Sequence, residues 1–145
     1  MRAIALAVFV LALSVPAFLA AQERPGVLIL RGERYLAMGK IEAAMLNYNK
    51  VLACCAGTPE AAEAHNDLGV CHARRGDRAK AEEEYRKSLD INGYPLAAFN
   101  LGKLRYEDFS ASGDAQARAE AVELLTRFGD YLKQGVELPP VVSYS

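Results

Sequence analysis

The sequence predicts an all-α fold, a short stack of antiparallel helix pairs, and three observations carry that prediction. A unit of two helical segments recurs within the chain at a fixed offset, which is the signature of a repeat architecture. Small residues recur where two helices would cross. Ala is abundant and aromatics are modest at 8%, a composition that suits packed helices better than a sandwich or barrel. With 145 residues and 52% hydrophobic content the chain can bury one core, and 17 basic residues against 18 acidic ones argue against nucleic-acid or membrane-surface binding.

Residues 1–21 stand apart in composition. Arg2 is their lone charge, the run from Ala3 to Val15 is apolar, and Ser14, Pro16 and the small residues around Ala20 and Ala21 follow. This is the outline of a secretory signal peptide, with cleavage expected near Ala20 or Ala21. An uncleaved anchor is the competing reading, since a helix from Ala3 to Ala21 is just long enough to span a bilayer. Either form places the remainder across the membrane, in the periplasm or outside the cell.

The first helix pair is expected over Pro25 to Met38 and Ile41 to Ala53, with Gly39 at the turn. The second lies 37 residues on: Gly32 recurs as Gly69, Gly39 as Gly76, Ala44 as Ala81, Tyr48 as Tyr85, Lys50 as Lys87 and Leu52 as Leu89. Thr58 and Pro59 form a helix start, a hydroxyl N-cap followed by a residue with no N–H to lose. Gly76 and Asp77 end one helix and cap the next. The run Glu82, Glu83, Glu84 reads as a solvated face, because Glu82 with Arg86 and Glu83 with Lys87 are favourable i,i+4 pairs. The third pair begins at Pro95, where Ala97, Leu101 and Gly102 follow Ala64, Leu68 and Gly69 by 33 residues. Its second helix matches only at an offset of 40, placing Leu125 where Tyr85 stood and predicting a longer inner loop around Ser110 to Asp114. Residues 22–134 thus form the repeat domain, and residues 135–145, with Pro139 and Pro140, a flexible tail.

The stretch from Ala62 to Pro95 resembles one tetratricopeptide (TPR) repeat, with Leu68, Gly69, His72, Ala81 and Tyr85 on that family's pattern. The third pair is similar to the divergent, Sel1-like relatives of the family. The resemblance implies a superhelix of about three pairs, packed through Gly32, Ala44, Tyr48, Leu68, Gly69, Ala81, Tyr85, Leu101 and Gly102. It implies a concave groove lined by the first helix of each pair, offering Glu33, Asn66, Phe99 and Lys103 to a protein or peptide. Lys103 would be the lone groove cation, which departs from the family members that clamp a carboxylate. Three units are about the minimum for stability, so a homodimer is compatible with the pattern.

No chemistry-bearing constellation emerges. His65 and His72 share a helix face but stand about 10 Å apart along it, too far for one ion. Cys54, Cys55 and Cys71 are an odd number for an exported chain. Cys54 and Cys71 are poorly placed to meet, and a bond between the neighbours Cys54 and Cys55 would be strained. The function expected is therefore a non-catalytic interaction module without cofactor or metal, exported to the cell envelope, with no membrane contact beyond the N-terminal segment. Two alternatives stay open: a thiol-dependent redox or assembly factor using Cys54, Cys55 or Cys71, and a structural subunit that binds through its convex face.

Overall fold

The structure, a computed structural model, describes residues 23–135 and residue 137. The expected signal segment and nearly all of the tail lie outside the described residues. Between them run six helices: α1 (Pro25–Ala37), α2 (Ile41–Cys54), α3 (Pro59–Arg74), α4 (Arg78–Asn92), α5 (Pro95–Ser112) and α6 (Ala115–Lys133). They pack as the pairs α1/α2, α3/α4 and α5/α6, and α1, α3 and α5 also touch in a row. The backbones of α2, α4 and α6 do not approach one another, so the row that touches is the inner side of the curve.

The helix boundaries follow from local chemistry. Pro stands in the first turn of α1, α3 and α5, where its missing N–H costs nothing. The Thr58 hydroxyl accepts from the Ala61 N–H at 3.2 Å, and the Asp77 carboxylate accepts from Lys80 N–H at 3.2 Å. Gly76 ends the turn between α3 and α4 at φ +80°, a conformation that a residue with Cβ adopts only at a cost.

Inside each pair the tyrosine of the second helix lies on the glycine of the first. A Cβ built on Gly69 would lie 2.6 Å from Tyr85 Cδ1, and one on Gly32 would lie 2.7 Å from Tyr48 Cζ. The missing side chains therefore make room for rings rather than for a neighbouring backbone. In the third pair Leu125 fills this place, 2.9 Å from a Cβ on Gly102. Ala44, Ala81 and Leu101 are fully buried, Leu68 and Tyr85 nearly so, and they join Leu28, Leu36 and Val51 in one core through the stack.

Two expectations are corrected here. The third pair has no long inner loop: α5 extends to Ser112, only Gly113 and Asp114 intervene, and the extra residues lengthen α5 and α6 to 18 and 19 residues. Ser110 and Ser112 do not break the helix because their hydroxyls donate to the carbonyls of Tyr106 and Asp108, at 2.8 and 2.7 Å. The second concerns the glutamate run, which is more than a solvated face. Glu82 pairs with Arg105 as well as Arg86, and Arg105 and Arg86 both reach Glu120, at 2.9 and 2.7 Å. Arg78 meets Glu107 and Asp108 at 2.8 and 2.6 Å. These pairs tie α4 to α5 and α6, where an outward-facing side chain on α4 still overlooks the next pair. Only Glu83, paired with Lys87, keeps the simple surface role.

Candidate functional site

The inner row presents two pockets. The first, about 580 Å³, lies between α1 and the start of α3, walled by Val27, Ile29 and Leu30 and rimmed by Glu33, Glu60 and Glu63. Val27 and Leu30 are 45% and 53% exposed, so apolar surface is open to solvent there. Partial burial raises the pKa of Glu33. It raises that of Glu63 too, where the charges of Glu33 and Glu60 add to the effect and a hydrogen bond with Tyr94 opposes it. Among the described residues no cation is paired with Glu33.

The second pocket, about 260 Å³, is bounded by α3, α4 and α5 and lined by residues that include Val70, Arg74, Arg78, Asn100, Lys103 and Glu107. Its charge is the reverse of the first, with Arg74, Arg78 and Lys103 against Glu107. Arg74 also donates to the Leu36 carbonyl at 3.0 Å, which fixes it to the end of α1 and favours the negative pole of that helix.

The four residues expected to share one concavity are distributed. Glu33 rims the acidic pocket and Lys103 lines the basic one. Asn66 is fully buried, and its amide is spent within the protein: it donates to Asp67 at 3.1 Å and accepts from Asn100 at 2.9 Å. It is a link between α3 and α5 that orients Asn100 at the basic pocket, because the next pair covers its position. Among the described residues no further pair lies over Phe99, the equivalent residue one unit later. It remains 39% exposed and tilts against Phe128 with ring centroids 5.1 Å apart. Lys103 is not the lone groove cation, since Arg74 faces the same pocket. The signal in the sequence was its place one turn beyond Val70 on the same face of α3.

Beneath the groove Asp67 is 3% exposed, next to Asn66 and within reach of Tyr48. Burial, reinforced by the charges of Glu63 and Glu33, pushes its pKa up to about 8, so the side chain is largely the neutral acid at pH 7. Cys71 is buried, and burial together with nearby Asp67 pushes its thiol up to about 12. A thiol held protonated in the core is a poor nucleophile. Cys54 and Cys55, the pair the sequence reading disfavoured as strained, are joined as a disulfide. Cys55 leaves helical geometry at the end of α2, with φ −137° and ψ 37°, and this brings its sulfur to that of its neighbour. His65 is spent on Glu84, 2.6 Å away. Among the described residues no group of three His, Cys, Asp or Glu side chains converges as a metal site.

The decisive comparison falls on the central pair, where residues 62–94 match the family described as tetratricopeptide repeat. These residues form a tetratricopeptide repeat. The match covers α4 and most of α3, and α1/α2 and α5/α6 repeat its geometry on either side. The chain is also similar to the Photosystem I assembly protein Ycf3 of Rippkaea orientalis (strain PCC 8801 / RF-1), at 31% identity over 75 residues, 51% of this chain and 43% of that protein. The similarity therefore spans less than half the length of that relative.

Proposed function

We propose that this protein is a non-catalytic TPR assembly factor that holds a segment of a partner protein along its inner face, working beyond the cytoplasmic membrane after export. The observation that carries the reading is the row α1, α3, α5, along which α3 borders an acidic pocket near its start and a basic pocket near its end. Such a surface suits an extended segment, which a rigid stack of helices can bind without reorganising. Similarity to a protein named for assembly supports a partner that is a subunit of a larger complex. The buried, protonated Cys71 weighs against thiol chemistry there. Export rests on Arg2 and the apolar run that follows it.

Photo-crosslinking in cells tests the binding face. A benzophenone side chain placed at Leu30 or Lys103 should capture a partner, whereas one at Glu83, on the outer side of α4, should not. Capture from Glu83 alone would favour the convex-face reading. The N-terminus of the protein isolated from envelope fractions should lie near Ala21 or Gln22; an intact Met1 on membranes would favour the anchor, and cytosolic protein would end the export proposal.

A further inference from the structure

We infer that the pocket between α1 and α3 takes a Lys or Arg side chain flanked by apolar residues in the bound segment. The inference rests on the inner-face reading above and adds the chemistry of the ligand. A long basic side chain has an apolar stem and a charged head, and the pocket has the matching order of surfaces. Val27, Ile29 and Leu30 supply the apolar wall, and Glu33, Glu60 and Glu63 supply three carboxylates against the single cation Arg24. A volume of about 580 Å³ holds such a side chain with parts of its neighbours.

The rim is also oriented. Glu63 is held by a hydrogen bond with Tyr94, so its carboxylate is fixed at the entrance from α3 while Glu33 faces it from α1. Two partly buried carboxylates that repel each other gain from a cation between them, and Glu33 has no such partner among the described residues. An acidic segment would meet like charge here and be favoured instead at the pocket of Arg74 and Lys103. The groove therefore reads charge in an order, basic residue at the first unit and acidic residue toward the third.

NMR titration of the full chain with two capped peptides, Ala-Leu-Lys-Leu-Ala and Ala-Leu-Glu-Leu-Ala, tests this. The Lys peptide should shift the amides of Leu30, Glu33 and Glu63 and bind about tenfold more tightly at that pocket than the Glu peptide, the scale expected when a like charge replaces an opposite one. The double variant Glu33→Gln, Glu63→Gln should lose the preference, and Lys133→Ala, at an exposed position of α6 that lines neither pocket, should keep it. The single variant Glu33→Gln, with melting curves recorded alongside, gives the same reading should the double variant fold poorly. Equal binding of the two peptides, no shift at Leu30, Glu33 and Glu63 with either, or a preference that survives in the Gln variants would overturn the inference. Crosslinking at Leu30 and Lys103 is indifferent to ligand charge, so a negative titration with positive crosslinks removes the basic ligand and leaves the inner-face reading standing.

Discussion

Tyr85 lies over Gly69 so closely that the first carbon of any side chain on Gly69 would overlap its ring, 2.6 Å from Cδ1. The same contact recurs between Tyr48 and Gly32. Both rings are almost wholly buried and cannot withdraw without opening the core. Gly69→Ala, and more so Gly69→Leu, should therefore destabilise the protein by about 1 to 3 kcal/mol, the usual cost of overpacking. Gly129 is the control. It lies in α6 with open space where a Cβ would stand, so Gly129→Ala should stabilise by about 0.5 to 1 kcal/mol through helix propensity. Urea denaturation of the three variants reads both signs, and equal melting of Gly69→Leu and wild type would remove the proposed contact.

Asp67 gives the stack a pH dependence of determinate sign. Its pKa rises from the ordinary 3.8 to about 8 on folding, first because of burial. Below pH 3.8 both states carry the proton and the residue contributes no slope. Between these values the folded state keeps a proton that the unfolded state has released, so stability falls as pH rises, and the fall levels off above about pH 8. Asp67→Asn keeps the shape and cannot ionise. It should flatten the pH dependence of thermal melting over this window and be relatively most stable at its alkaline end; an unchanged slope would show that Asp67 is not its source.

How far the sequence disclosed this protein depends on whether a side chain answers to its own helix or to a neighbouring pair. Gly32, Gly69, Tyr48 and Tyr85 were legible because they repeat at one offset, and the caps at Thr58 and Asp77 because they act within a few residues. The partners of Glu82 and Arg105 were not legible: nothing local to α4 says that α5 and α6 bring Arg105 and Glu120 alongside. Asn66 and Phe99 show the same limit. They occupy equivalent positions, yet one is sealed by the next pair and the other belongs to the last described pair, a difference set by repeat order and not by residue type.

The ion pairs across α4, α5 and α6 should be measurable because they form a network. Arg105 is 18% exposed at its side chain and meets Glu82, Asp108 and Glu120. Arg105→Met keeps much of the packing and removes the more buried cation, leaving Arg86 to bridge Glu82 and Glu120 and Arg78 to hold Asp108. A loss of about 1 to 2 kcal/mol is expected, beyond the fraction of a kcal/mol typical of an isolated surface pair. Added salt should shrink the difference between variant and wild type. A loss independent of salt would point to packing.

Cys71 should be silent toward alkylating agents in the folded state. It has no exposed surface, and its thiol titrates near pH 12, so almost no thiolate exists at pH 8. Iodoacetamide should label it in urea and leave it unlabelled in native buffer, as read by mass spectrometry of the intact chain. Rapid native labelling would restore the thiol-dependent reading.

Phe99 decides between a binding and a structural role in the last described pair. Its ring is 5.1 Å from that of Phe128 across the α5/α6 pair, and it lines neither inner-face pocket. Truncation to Ala would remove a partly buried aromatic pair and expose Phe128, but it would leave Glu33, Arg74 and Lys103 in place. Phe99→Ala should lower stability by about 1 to 3 kcal/mol, less than full burial would imply because the residue is already 39% exposed. Phe99→Leu, which retains most of the apolar contact, should recover much of that loss. Crosslinking yields from Leu30 should match wild type for both variants at a temperature where both are folded. If Phe99→Ala keeps its full melting temperature and loses crosslinking, the exposed face of the third pair around Phe99 belongs to the binding surface, and the inner face must be extended to include it.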